Sequence, residues 1–297
     1  MRQVATFVGA TAERPLDDSL LAHVARHLPE AEPFGWLEPG VAADIAFISD
    51  ADAAGFVAKL RAALAGWPID VFVQPQAERR KKLLLADMDS TVIEQECIDE
   101  LADYVGLKAA VARITDRAMR GEIAFEPALR ERVALLRGLK IDTVERVLAE
   151  RIGLTPGART LVQTMRAHGA YTALVSGGFN VFACAIAAKI GFDAVRANDI
   201  IVEDGKLAGI VEPVLGTSAK LDTLRGLRDT LGLAPEDTLA VGDGANDIAM
   251  LKEAGLGVAY RAKPTVAAAA AARIDHGDLT ALLYAQGYIR AEFQAAE

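Results

Sequence analysis

Leu83-Leu84-Leu85-Ala86 is followed at once by Asp87-Met88-Asp89-Ser90-Thr91, an apolar run that stops at two carboxylates and two hydroxyls. A short continuous apolar run preceded by Lys81-Lys82 and followed by polar residues and then helical patterning reads as a central parallel strand, buried on both faces. In such sheets ligands bind beyond the carboxyl ends of the strands. The sequence therefore predicts that Asp87 and Asp89 stand at the mouth of a sheet and that the chemistry is done there.

The pattern recurs twice. Tyr171 to Val175 precedes Ser176-Gly177-Gly178, and Thr238 to Val241 precedes Gly242-Asp243-Gly244-Ala245-Asn246-Asp247. Further short strands are expected at Gly257-Val258-Ala259 and Ala272-Arg273-Ile274. Apolar runs that end in small or acidic residues and give way to helices predict an α/β fold, Rossmann-like, with a parallel central sheet whose strand ends converge on one crevice. Ala197 to Val211 reads as a hairpin turning at Asp204-Gly205. Residues 93–154 carry no strand signature and read as several helices, placed to fold over the Asp87 loop. The alanine tract at 267–272 reads as a surface helix.

The first 75 residues have a different rhythm. Strands at Val4–Val8, Phe34–Leu37, Ala43–Ile48 and Ile69–Val73, with helices at Asp18–Leu28 and Ala51–Ala65, give the order βαββαβ of a small α+β, ferredoxin-like sandwich. Polar residues Gln74 to Lys82, with the basic run Arg79-Arg80-Lys81-Lys82, read as a solvated linker. The expected division is an N-terminal unit at 1–76 and a second unit at 77–297, the latter made of a core (81–92 and 155–297) and a helical cap (93–154).

With 297 residues, 52% hydrophobic and 25% charged, the chain can bury one large core or two smaller ones. A net charge of -9 argues against nucleic acid or an anionic membrane as partner, because the long-range field repels both. Two cysteines, Cys97 and Cys184, are too few for a disulfide framework, and both read as small buried thiols in helices. No charged N-terminal region leads into a sustained apolar segment, so a cytoplasmic location is the expectation.

Asp87-x-Asp89-x-Thr91, Ser176-Gly177-Gly178, Lys220 and Gly242-Asp243-Gly244-x-Asn246-Asp247 together resemble the haloacid dehalogenase superfamily of phosphotransferases, and within it the phosphoserine phosphatases. The resemblance covers roughly residues 81–290. Each motif is weak alone; the order and spacing of the four carry it. The N-terminal unit resembles the amino-acid-binding ACT domains, without a residue that settles ligand binding. It stands as regulatory, as an oligomerisation surface that would make a homodimer, or as packing alone.

The residue types suit the implied chemistry. A carboxylate that attacks phosphorus divides one difficult hydrolysis into two displacements, and Asp87 at the strand end is the natural nucleophile. Asp89 is then the general acid and base. Mg²⁺ takes octahedral oxygen ligation from one or two carboxylates with phosphate and water, which Asp87 and Asp243 can supply. The resemblance adds the backbone carbonyl of Asp89 and places Asp247 in or beside the outer ligand shell. Lys220 is expected to hold Asp87 and the phosphoryl oxygens as a point charge. Ser176 and Gly177 are expected to bind the phosphoryl group by a hydroxyl and backbone N–H groups at a helix N-terminus. Asn246 is assigned an orienting hydrogen bond. Alone, the aspartates would read as caps or turn residues, Lys220 as a surface charge, the glycines as turns and Asn246 as a C-cap.

Substrate choice must come from the helical insertion, since the core motifs serve many substrates. Glu94-Gln95-Glu96-Cys97-Ile98-Asp99-Glu100 and Met119-Arg120-Gly121-x-x-x-Phe125-x-x-x-x-Arg130-x-Arg132 resemble the cap of the phosphoserine phosphatases. The resemblance implies that Glu96 meets a substrate ammonium and Arg132 a carboxylate, with Met119 and Phe125 shielding the closed site. One anion and one fork-shaped cation suit the zwitterionic head of O-phosphoserine. Glu94, Asp99 and Arg130 read as solvated helix charges. The expected activity is hydrolysis of O-phospho-L-serine to L-serine and phosphate, the last step of L-serine biosynthesis. A phosphatase for another small phosphomonoester and a non-catalytic amino-acid sensor are the alternatives.

Overall fold

The computed structural model describes residues 1–10, 14–77, 79–119 and 122–294, with the backbone alone of Ala118 and Met119. Arg120 and Gly121, part of the cap motif, lie outside the described residues.

The chain begins with β1 (Arg2–Gly9), α1 (Asp18–Ala25), β2 (Gly35–Glu38), β3 (Ala42–Ile48), α2 (Ala53–Ala63) and β4 (Ile69–Pro75). The strands form an antiparallel sheet in the order β2-β3-β1-β4, the expected ferredoxin-like arrangement. Asp17 starts α1 by accepting a hydrogen bond from the Leu20 N–H at 2.7 Å. Both faces of this sheet are buried. Ala5, Phe7, Ile45 and Val71 pack under the two helices, while Val8, Ala42 and Phe72 join the large core of the rest of the chain. Burial on two faces explains why β1 lacks a clean polar alternation.

The linker reading is corrected here. Gln74 is buried and its Nε2 donates to Ala285 O at 2.6 Å. Arg79 pairs with Asp44 at 2.6 Å, Arg80 with Glu292 at 2.7 Å, and Lys81 donates to Glu236 O at 2.7 Å. The basic run is a seam between two packed units, because each cation finds an oxygen on a neighbouring element.

The second sheet is six-stranded and parallel, in the order β12 (Ala272–Ile274), β11 (Leu256–Tyr260), β10 (Thr238–Gly242), β5 (Leu83–Ala86), β6 (Tyr171–Phe179) and β7 (Ala194–Asn198). β5 (Leu83–Ala86) is central, and all four of its residues are buried. Four helices follow it: α3 (Cys97–Tyr104), α4 (Lys108–Met119), α5 (Phe125–Leu135) and α6 (Asp142–Glu150). Then come α7 (Ala158–Ala167), β6 (Tyr171–Phe179), α8 (Asn180–Ile190) and β7 (Ala194–Asn198), and a hairpin of β8 (Ile200–Glu203) and β9 (Lys206–Ile210). The hairpin turns at Asp204-Gly205 as expected. The chain closes with α9 (Ala219–Thr230), β10 (Thr238–Gly242), α10 (Ile248–Glu253), β11 (Leu256–Tyr260), α11 (Pro264–Ala269), β12 (Ala272–Ile274) and α12 (Ala281–Ala285). The alanine tract is helical only to Ala269, and Ala272 enters the sheet buried. Cys97 is buried as expected; Cys184 is exposed, on the outer face of α8.

The four cap helices join the core through two adjacent strands of chain. Ile93 bridges Leu154, Glu94 N donates to Gly153 O at 3.1 Å, and Thr155 N donates to Val92 O at 3.0 Å. A second attachment runs through the hairpin, where Gly138 N donates to Leu207 O and Leu207 N to Leu139 O, both at 2.8 Å.

Candidate active site

Beyond β5 the backbone makes one wide turn over Met88–Val92, closed by Ile93 N donating to Met88 O at 3.1 Å. Ser90 sits in the left-handed region at φ +53, a conformation that costs a non-glycine residue about 1 kcal/mol or more and that the surrounding contacts must hold. The turn sends its two aspartates to different partners.

Asp87 is buried. Its Oδ1 accepts from Met88 N at 2.8 Å and lies 2.6 Å from Lys220 Nζ, so Oδ2 is the oxygen left to react. Lys220, on the first turn of α9, also donates to Asp247 Oδ1 at 2.6 Å, and Asp247 Oδ2 accepts from Gly244 N at 2.9 Å. Asp243 Oδ1 accepts from Thr91 Oγ1 at 3.1 Å. Ligand oxygens of Asp87, Asp243 and Asp247 lie within 4.8 Å of one another. Burial, and then the Asp247 carboxylate, push Asp87 well above the usual range, and the same two causes bring Asp243 to about 6. Burial opposes the charge on Lys220, but Asp87 and Asp247 outweigh it and raise its pKa. Three carboxylates around one ammonium leave surplus negative charge on hard oxygen donors. That donor set fits Mg²⁺, which would remove the repulsion.

Asp89 is turned toward the cap. Its Oδ1 accepts from Cys97 N, the first amide of α3, at 2.8 Å, and its Oδ2 accepts from Ser176 Oγ at 3.2 Å. Burial raises its pKa, and the Cys97 and Ser176 donors work against that rise. The carboxylate therefore stays out of the acidic trio and faces the groove between core and cap.

Ser176-Gly177-Gly178 departs from the expected helix N-terminus. β6 continues through all three residues to Phe179, with an irregular register against β7, and α8 begins only at Asn180. Gly178 N donates to Ser176 Oγ at 2.9 Å, which orients the hydroxyl. Asn198, at the end of β7, was not singled out by the sequence reading. It is buried; its Nδ2 donates to Gly177 O at 2.9 Å and its Oδ1 accepts from Leu215 N at 2.7 Å. A lone Asn beside a hairpin gives no sequence signal of that double role.

Above this floor, Ser90 Oγ donates to Glu96 Oε1 at 2.8 Å. Glu96 remains exposed to solvent, and partial desolvation by the protein around it, then the Asp89 carboxylate, raise its pKa toward about 7. Arg132 is half-buried on α5, with Nε donating to Ala128 O at 3.3 Å; burial lowers its pKa, against the nearby Asp99, Glu96 and Asp89 carboxylates. Phe125 opens α5 and covers Gly177: a β-carbon there would come 2.8 Å from Phe125 Cζ. Phe125, Ser176, Gly177, Lys220 and Asn246 line one pocket, with Gly216 on its rim. The side chain of Met119 lies outside the described residues. Arg130 is not merely solvated: it makes a two-pronged pair with Glu212 at 2.7 and 2.9 Å, fastening α5 to the core. Asp99 is partly buried and, among the described residues, its Oδ1 accepts no hydrogen bond, a further departure from a solvated charge.

Residues 84–252 match the haloacid dehalogenase-like hydrolase family. A phosphoserine phosphatase of Archaeoglobus fulgidus is 40% identical over 78% of this chain and 68% of its own length. One of Streptomyces coelicolor is 40% identical over 80% of this chain but only 58% of its own, so the chain spans little more than half of that relative. One of Methanocaldococcus jannaschii is 44% identical over 69% of this chain and 98% of its own. Among solved structures, a haloacid dehalogenase family hydrolase from Salmonella enterica serovar Typhi superposes with a TM-score of 0.84 at 28% identity, covering 97% of this chain and 98% of that one. A phospho-aspartyl intermediate analogue of phosphoserine phosphatase superposes with a TM-score of 0.64 at 43% identity, covering 69% and 98%. No helix among the described residues is long and apolar enough to cross a membrane.

Proposed function

Because the chain belongs to the haloacid dehalogenase-like hydrolase family, we propose that it is a magnesium-dependent phosphatase that hydrolyses O-phospho-L-serine to L-serine and phosphate. The observation that carries the reading is the buried Asp87 carboxylate, held through one oxygen by Lys220 at 2.6 Å, with a second carboxylate, Asp89, on the cap side of the same turn.

Asp87 Oδ2 attacks phosphorus and the bond from phosphorus to the seryl oxygen breaks, leaving an aspartyl phosphate. Asp89, whose proton affinity is raised by burial, gives its proton to the departing seryl oxygen. Asp89 then takes a proton from the water that attacks phosphorus, and Asp87 is released as a carboxylate. Lys220, the Ser176 hydroxyl, the Gly177 amide and Asn246 hold the phosphoryl oxygens. Asp87, Asp243, the Asp89 carbonyl and, from the outer shell, Asp247 would hold magnesium, which when bound would supply the charge that lets two anions meet. Glu96 takes the substrate ammonium and Arg132 its carboxylate, while Phe125 and Met119 exclude water. The same reading divides the chain into an ACT-like unit at 1–76 and a phosphatase unit at 77–297 whose cap is 93–154.

Phosphate release from phosphoserine with and without Mg²⁺ tests the reaction. Arg132→Ala tests the head-group reading: it is expected to slow phosphoserine far more than an aryl phosphate that lacks a carboxylate. No turnover of phosphoserine in either condition would sink the proposal, and equal losses on both substrates would remove Arg132 from recognition.

A further inference from the structure

Asp70, the second residue of β4, is 3% exposed, and its carboxylate leaves the N-terminal sheet to engage the second unit. Oδ1 accepts from the amides of Asp275 at 2.8 Å and His276 at 3.2 Å, and Oδ2 from Gly277 at 2.7 Å. Three successive backbone donors on one buried carboxylate fix the loop that follows β12, and the buried Gly277 amide would otherwise lie unsatisfied.

That loop runs straight into the cap attachment. Asp278 accepts from Thr280 N at 2.8 Å, and Leu279 N donates to Pro156 O at 3.1 Å. Gly157, at φ +81, lies so close beneath the loop that a β-carbon on it would stand 2.7 Å from Thr280 N. Pro156 and Gly157 are the residues from which the cap's return strand departs. One residue earlier, Thr155 N donates to Val92 O at 3.0 Å, and Val92 ends the turn that carries Asp87. The path from Asp70 to the hinge is thus a continuous series of backbone contacts, anchored in a sheet that shares its core with the second unit.

We infer that Asp70 is a positioning residue for the cap hinge, and that the N-terminal unit acts on turnover by holding the 275–280 loop against Pro156 and Gly157. The inference rests on the proposed role of the cap in covering the active site. Coupling requires a body that both sites touch, and the 275–280 loop contacts both Asp70 and the Pro156-Gly157 hinge. Cap movement commonly limits the release of product, so its hinge is where a remote contact changes kcat and KM together.

The test is Asp70→Asn, which keeps shape and one acceptor but turns an N–H₂ toward the Gly277 amide. Amide hydrogen exchange at residues 92–95 and 153–157 is expected to quicken at least tenfold, with exchange in β5, β6 and β10 unchanged. In steady state, kcat for phosphoserine should change at least threefold, with KM moving in the same direction. Gly277→Ala, whose new carbon would meet Asp70 Oδ2 at 3.0 Å, perturbs the same contact from the other side and should give the same pattern should Asp70→Asn fail to fold. Unaltered hinge exchange in a folded variant would overturn the inference, as would equal acceleration in the core strands, which would make Asp70 a general support. The exchange readout needs no substrate, so it stands apart from the phosphoserine reading, whose failure would show as an inactive parent protein.

Discussion

Phe125 rests on the bare α-carbon of Gly177, with the nearest ring carbon 2.8 Å from where a side chain would begin. The first residue of α5 and the Ser176–Gly178 segment therefore meet at a spot where only glycine fits. Gly177→Ala is expected to lower kcat/KM for phosphoserine by about 10- to 100-fold, the equivalent of the roughly 1–3 kcal/mol that overpacking costs. The protein should still fold, because the clash is with the far end of one side chain, which can turn aside. Steady-state kinetics decides it, and an unchanged kcat/KM would mean that the ring does not seat there during turnover.

Asp87→Asn separates chemistry from stability. Turnover should fall by about three orders of magnitude or more, as expected when a nucleophile is removed. Burial raises the folded-state pKa of Asp87 above its unfolded value, so in the metal-free protein its ionisation disfavours the fold increasingly as pH rises through the unfolded value. The Tm of the variant relative to the parent should accordingly increase between pH 5 and pH 8 in chelator. A difference that shrinks over that range would contradict the sign.

Glu96 stays open to solvent, yet the protein crowded around it and then the facing Asp89 carboxylate, with Asp243 and Asp99 adding repulsion, raise its pKa toward about 7; the Ser90 hydroxyl works against that rise, and Arg132 is the nearby cation. The group must be ionised to pair with an ammonium. As pH falls below about 7, kcat/KM for phosphoserine should drop with a slope approaching tenfold per unit relative to an aryl phosphate measured in parallel. Glu96→Gln should remove the difference in profile between the two substrates. Profiles that already coincide in the parent would dissociate Glu96 from the ammonium.

Metal binding should be visible without turnover. Mg²⁺ at about 100 times its Kd is expected to stabilise the fold by about 2.7 kcal/mol, and the rise in Tm should be reversed by chelator. Asp243→Asn should shrink the rise at equal Mg²⁺. An identical Tm response in the variant would place the ion elsewhere.

Much of this was legible because strands buried on both faces leave an unambiguous mark. Leu83–Ala86, Tyr171–Val175 and Thr238–Val241 occupy the centre of the parallel sheet, and the aspartates appear where those runs end. Less legible was anything that depends on a partner distant in sequence. Arg79 and Arg80 read as linker charges because Asp44 and Glu292, their partners, lie 35 and 212 residues away. Ser176-Gly177-Gly178 read as a helix start because glycines so often make one, whereas the register shift that keeps the segment extended is set by β7 across the sheet. Asn198 escaped notice for the same reason: its importance lies in joining Gly177 to Leu215, and neither is its neighbour in the chain.

The turn at Asp204-Gly205 has the look of a disposable loop tip, the kind of place where insertions and tags are usually tolerated. Ile141 N nonetheless donates to Gly205 O at 3.0 Å, and Leu207 is stitched on both sides to residues 138 and 139. The root of the same hairpin adjoins Asn198, which grips the carbonyl of Gly177. The hairpin is therefore a strap of set length. Lengthening it would slacken residues 138–141 and the Ser176–Gly178 segment together, so this tip is a poor site for a graft and a place where variation in length should carry a catalytic cost.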